Sequence, residues 1–127
     1  MFIVITNNPL VAQWYKDSES DNFSIQWQRD SLLSVLTTAR DLIHQGWKLV
    51  NHPLASSIKP NQTPFKTLLL GKTKHTLDYQ SLQAIEDAFG AVAKSGPFPG
   101  ANEDVLADLQ LLDLEICKSI ELPSWEE

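Results

Sequence analysis

Segments with strand-type hydrophobic patterns alternate with segments of helix-type pattern along most of the chain. Residues 2–6 are apolar in succession up to Thr6, which is typical of a strand that is buried on both faces. Asn8-Pro9 then combines a favoured N-cap with the residue favoured in the first helical turn, so a helix is predicted to start directly after the strand. Alternation of this kind predicts an α/β layered domain with a mainly parallel sheet.

The later segments extend this prediction to a sheet of about four strands flanked by three main helices. The further strands are expected at residues 23–27, 47–51 and 66–70, and the main helices at residues 31–45, 79–95 and 103–121. A short apolar face after Pro9 is expected to be a minor helical segment. In the last main helix, one buried stripe is predicted, consisting of Val105, Leu109, Leu112, Ile116 and Ile120. Residues 1–121 are predicted to form a single domain, and residues 122–127 a C-terminal tail.

Charge is distributed unevenly in a chain whose net charge is −6. Residues 42–77 contain five lysines and no Asp or Glu, whereas residues 78–127 contain two lysines and eleven acids. One interpretation is a local positive potential that attracts a small anion, phosphate or carboxylate. The other is that buried strands and a loop leave little room for acids. The lysines are not interleaved with aromatic residues, so no nucleic-acid surface is predicted.

Composition narrows the cellular setting and the chemistry. Cys117 is the single cysteine, so neither an intrachain disulfide nor a Cys-x-x-Cys pair is predicted. The apolar start has no basic region before it, and no apolar run approaches the roughly 20 residues that span a bilayer. We therefore expect a cytoplasmic protein without a membrane partner. No histidine pair has the spacing that zinc sites favour, so neither a metal nor a cofactor is predicted.

Two short segments share the pattern of a strand followed by Asn-x-Pro-Leu. One contains Asn7 and Asn8, and the other contains Asn51 and His52. Ligands of open parallel sheets bind at the carboxyl ends of the strands, so these side chains are candidates for a ligand site. The alternative is that Asn and Pro are turn and cap residues with a local role.

The segment from His52 to Phe65 is a long, proline-stiffened loop and a second source of candidate ligand-binding residues. Its hydroxyls, amide and ammonium are suited to phosphate or carboxylate. The candidates in this loop are Ser56, Ser57, Lys59, Asn61 and Thr63.

Asp113 is predicted to lie within the apolar arc of the last helix, where an unpaired carboxylate would be costly to bury. It is either a site residue with a raised pKa or a basic partner, or a structural cap on a loop or lysine, with Lys59 as a candidate partner. His52 with Asp113 would also suit a small hydrolase or transferase. The chain has no Gly-x-Ser-x-Gly motif, so no catalytic residue is assigned.

Several segments resemble the GrdX family. They include Ile5 to Pro9, His52 to Leu54, Ser57 to Lys66, Arg40 to Gly46 and Asp108 to Asp113. Such proteins are encoded with components of glycine, sarcosine or betaine reductase. The resemblance implies an accessory protein of that system that acts through protein contacts, with reductase components as partners. It implies no established activity. A second copy of the chain is a further candidate partner.

Overall fold

The structure, a computed structural model, describes residues 1–18, 22–29, 31–55, 58–73 and 77–123. The candidate ligand-binding residues Ser56 and Ser57 lie outside these ranges, and so do residues 124–127 of the predicted tail. Asp30, which with Ser31 is a candidate N-cap for the helix predicted at residues 31–45, lies outside them too.

The described residues form four strands and four helices. In chain order they are β1 (Phe2–Thr6), α1 (Pro9–Lys16), β2 (Phe23–Trp27), α2 (Leu32–His44), β3 (Trp47–Leu49), β4 (Thr67–Lys72), α3 (Tyr79–Ser95) and α4 (Glu103–Lys118). The α/β class is therefore confirmed. The prediction of three main helices was too low, because the segment after Pro9 continues as a complete eight-residue helix.

The sheet is mixed, so the prediction of a mainly parallel sheet was wrong. Its strand order is β2-β1-β4-β3, with β1 parallel to β2 and β4 antiparallel to both β1 and β3. The chain between β3 and β4 contains no helix among its described residues. Because a parallel return needs a crossover that is usually helical, this connection brings β4 back in the opposite direction.

Local capping residues fix the helix boundaries. The side-chain oxygen of Asn8 accepts a hydrogen bond from the Leu10 amide at 3.0 Å, and Asp78 accepts one from the Ser81 amide at 2.9 Å. Gly46 follows α2 with φ of 95°, a conformation that is favourable for glycine. The cap predicted at Asn8 is therefore confirmed.

The helices cover both faces of the sheet, giving three layers. Alternate residues of β1 and β4, among them Ile5 and Leu68, pack with α2 and α3. The intervening residues Val4 and Leu69 pack with α1 and α4. All five residues of β1 are buried, which agrees with the continuous apolar run in the sequence.

The buried face of α4 differs from the predicted stripe. Leu114 and Cys117 are its buried residues, whereas Val105 and Leu112 are 43% exposed each. The helix therefore turns the arc around Asp113 toward the sheet, and two residues of the predicted stripe face solvent. With apolar residues on several sides of this helix, periodicity alone did not identify the packed face.

Candidate functional site

Three strand ends and one strand start meet at a single edge of the sheet. β1, β2 and β3 finish there at Thr6, Trp27 and Leu49, and β4, which runs the opposite way, begins there at Thr67. The register pairs Thr6 directly with Thr67. Both Asn-x-Pro segments are consequently brought to the same edge, together with the residues that precede β4.

A half-open cavity of about 410 Å³ lies at this edge, between the sheet and α4. Its volume is within the range of small-molecule sites. Its walls combine a carboxylate, an ammonium group and a thiol with aliphatic side chains. The lining residues are Val50, Asn51, His52, Ala55, Lys66, Thr67, Asp113, Ile116, Cys117, Ser119, Ile120 and Glu121.

A hydrogen-bonded network positions the Asp113 carboxylate in the wall of the cavity. Its Oδ2 accepts one hydrogen bond from Asn8 Nδ2 at 3.0 Å and another from the Thr67 hydroxyl at 2.9 Å. The Thr67 hydroxyl also lies 2.7 Å from the Thr6 hydroxyl. The Thr6 hydroxyl oxygen accepts a hydrogen bond from the backbone amide of Asn8 at 3.0 Å. If Thr67 donates to Asp113, then Thr6 donates to Thr67, so the chain of donors runs toward the carboxylate.

Asn8 connects the first strand end to α4. While its oxygen caps α1, its Nδ2 donates to Gln110 O at 2.9 Å as well as to Asp113. The side chain is completely buried. Asp113 is therefore held by the network, and its second oxygen, Oδ1, has no hydrogen bond among the described residues.

Lys66 supplies the positive charge of the cavity. Its Nζ donates to Pro53 O at 2.7 Å, and its backbone amide donates to Asn7 Oδ1 at 2.9 Å. No ion pair joins Lys66 to Asp113, although the two charges are close enough to influence each other's pKa. The ammonium retains two further hydrogens for other acceptors.

Burial governs the ionisation of the cavity groups. It raises the pKa of Asp113, although the hydrogen bonds from Asn8 and Thr67 and the charge of Lys66 oppose the rise. Burial likewise lowers the pKa of Lys66, against the attraction of Asp113. It raises the pKa of Cys117 to about 12, with Asp113 adding to the effect, so the thiol is protonated and unreactive at neutral pH.

His52 is exposed at the rim of the cavity. Its Nδ1 accepts the Leu54 amide at 3.0 Å, so in the neutral imidazole the proton is on Nε2. That N–H is a donor for an acceptor at the rim. No hydrogen bond or ion pair connects His52 with Asp113.

A family model described as GrdX-like protein matches residues 3–120. The chain belongs to this family. The resemblance recognised in the sequence is thereby confirmed over nearly the whole chain. No curated protein and no solved structure matches this GrdX-like chain.

In this GrdX-like protein, the three candidate asparagines of the two Asn-x-Pro segments all have structural hydrogen bonds. Asn7 donates to Pro64 O at 2.7 Å and accepts the Lys66 amide. Asn51 donates to Thr67 O at 3.1 Å and accepts the Leu69 amide at 2.8 Å, and so extends the pairing beyond the end of β3. Only the cap bond at Asn8 is local, whereas the bonds of Asn7 and Asn51 join the two strand ends to β4 and the residues before it.

The described candidates from the long loop, Lys59, Asn61 and Thr63, do not line the cavity. Lys59 is exposed, and its amide donates to Gln62 Oε1 at 2.9 Å. Thr63 is buried and accepts the Phe65 amide at 3.2 Å, beside a separate apolar groove. Asn61 has a buried Oδ1 without a hydrogen bond, and it does not line the cavity. Lys59, offered as a partner for Asp113, forms no ion pair with it.

Sequence reasoning missed Lys66, Thr67 and the last turn of α4 with the residues after it. The sequence between β3 and β4 has no helical pattern, and this indicates an antiparallel β4, because a parallel connection usually contains a helix. The first residues of an antiparallel β4 lie at the ends of β1 and β3.

In the parts of the chain described above, no helix has both the length and the apolarity needed to span a bilayer. Within the same ranges, no group of three His, Cys, Asp or Glu side chains is arranged as a metal site.

Proposed function

We propose that this GrdX-like protein is an accessory protein of the glycine, sarcosine or betaine reductase system that binds a small ligand in the strand-end cavity. The ligand carries an anionic group. The observation that carries the proposal is the Lys66 ammonium in the wall of a half-open cavity, beside the exposed His52. The Lys66 and His52 side chains both present N–H groups that donate hydrogen bonds to an anionic oxygen.

The reductase association rests on the family resemblance and on the surface of α4. Val105, Leu111 and Leu112 are exposed apolar residues of this helix. Asp108 and Glu115 lie among them and are exposed too. An apolar surface bordered by acids suits a partner surface with apolar and basic side chains.

Ligand binding is tested by thermal unfolding of the full chain with phosphate, acetate, propanoate and simple amino acids. A ligand at one hundred times its dissociation constant stabilises a protein by about 2.7 kcal/mol. We expect stabilisation by at least one probe, and a much smaller effect in Lys66→Met. The matched control is Lys59→Met, which removes an exposed lysine outside the cavity. No stabilisation by any probe would contradict the ligand proposal.

The reductase association is tested with purified reductase components. We expect one component to co-elute with the full chain in size-exclusion chromatography. The double variant Val105→Lys, Leu112→Lys should weaken co-elution, whereas Tyr79→Lys, on the exposed start of α3, should not. Recovery of no component with the wild-type chain would contradict this association.

The alternative of a hydrolase or transferase that uses His52 and Asp113 has less support. The two side chains share a cavity but no hydrogen bond, and Asp113 Oδ2 is already occupied by Asn8 and Thr67. A general base must reach the proton that it removes, directly or through one water molecule.

A further inference from the structure

The cavity contains charges of both signs that do not neutralise each other by direct contact. Asp113 is in the wall formed by α4, and Lys66 is in the wall formed by the residues before β4. No ion pair joins them. Each retains capacity for a ligand, since Asp113 Oδ1 has no hydrogen bond among the described residues and Lys66 Nζ uses one hydrogen on Pro53 O.

This arrangement discriminates between ligand classes. A simple anion at Lys66 would also approach the Asp113 carboxylate, with the acidic Glu121 at the same cavity, and would be repelled by both. A simple cation at Asp113 would approach Lys66. A molecule with one charge of each sign meets an opposite charge at each end and adds no net charge to a partly buried space.

The lining between and beyond the two charges is suited to a short hydrocarbon spacer. Val50, Ala55, Ile116 and Ile120 contribute aliphatic surface to the cavity. Fixed groups also reduce the cost of binding, because the network through Asn8 and Thr67 already orients the carboxylate.

We infer that the ligand is a small zwitterion whose ammonium group binds Asp113 Oδ1 and whose carboxylate binds Lys66 Nζ. This inference rests on the proposed function, since it specifies the ligand of the same cavity. His52 Nε2–H is available at the rim for a second oxygen of the carboxylate. No covalent step is involved.

Calorimetric titration of the full chain at pH 7 and low salt tests the inference. The zwitterionic probes are glycine, β-alanine and 4-aminobutanoate, which increase the separation of the charges. The singly charged probes are propanoate and propylammonium. We expect at least one zwitterion to bind at least tenfold more tightly than both singly charged probes.

Variants assign the two ends of the ligand. Asp113→Asn keeps an oxygen for the bonds from Asn8 and Thr67 and should remove the preference for the zwitterion over propanoate. Lys66→Met should weaken the binding of the zwitterion and of propanoate alike, and Lys59→Met should change the affinity for neither. If Lys66→Met does not fold, the wild-type comparison of probes remains decisive.

The outcomes separate this inference from the proposed function. If propanoate or phosphate binds as tightly as every zwitterion, the zwitterion inference is wrong and the anion site stands. If propylammonium binds as tightly as the zwitterions, the proposed binding of a carboxylate by Lys66 is wrong. If no probe binds, both the inference and the proposed ligand site are wrong.

Discussion

At the scale of single residues, Asn8 shows which part of the site is local and which depends on the fold. Its role as a cap follows from Asn-Pro at the start of a helical pattern, since the oxygen needs only the Leu10 amide two residues away. Its bonds to Gln110 and Asp113 cross more than a hundred residues of sequence. No periodicity or spacing encodes that approach, so only the cap could be predicted.

Replacement of Asn8 separates these two roles. Asn8→Ala removes a cap and two buried hydrogen bonds from Nδ2, so we expect the free energy of unfolding to fall by about 3 kcal/mol. Asn102→Ala is the matched control, because Asn102 caps α4 through an exposed bond to Val105 and should cost about 1 kcal/mol. Chemical denaturation measures both. Equal losses would show that the bonds from Asn8 to α4 contribute nothing.

Asp113→Asn tests the ionisation of the cavity. Because the folded protein raises the pKa of Asp113, the folded state binds its proton more tightly than the unfolded state, and stability from this group falls as pH rises above the unfolded value. Asp113→Asn has no ionisable group at this position, so its stability does not decrease with rising pH for this reason. We expect it to be more stable than wild type at pH 7 and to match it near pH 3.

The free energies of unfolding from denaturant titrations at the two pH values provide this measurement. A variant that is less stable than wild type at pH 7 would contradict the direction of the pKa shift. It would then follow that the hydrogen bonds from Asn8 and Thr67, together with the charge of Lys66, outweigh burial.

At the scale of elements, the errors about the direction of β4 and the buried face of α4 have related causes. Strand positions were recognised, but the direction of β4 depends on the path of the preceding loop, which carries no periodic signal. The position of α4 was predicted to within a few residues at its end, but its buried face was not. Apolar residues on several sides of α4 leave that choice to its packing against α1 and the sheet.

The shallow packing of α4 makes a prediction about local opening. Only Leu114 and Cys117 of this helix are buried, whereas every residue of β1 is. We expect α4 amides to exchange hydrogen through openings of lower free energy than those of β1. Native-state hydrogen exchange measures this, and similar protection in α4 and β1 would contradict it. If the exchange is repeated with a cavity ligand, the amides of α3, which packs on the opposite face of the sheet, serve as the control.

At the scale of the whole molecule, the site is a product of strand order. Placing β4 between β1 and β3 brings Thr67 against Thr6 and sets Lys66 beside both Asn-x-Pro segments. The rule that ligands bind at strand ends predicted a shared edge for Asn51 and His52, and both line the cavity there together with Asp113 of α4. It did not predict that the asparagine amides would be used in structural bonds, or that Lys66, and not Lys59, would line the cavity.

The most direct test of the central claim is an NMR titration of the ¹⁵N-labelled full chain with the tightest zwitterion of the calorimetric series. The account predicts saturable shifts of the amides around the cavity, including Asn51, Lys66 and Asp113, and at least tenfold weaker binding in Asp113→Asn. Saturable shifts confined to another surface, or no shifts at millimolar concentration, would contradict it.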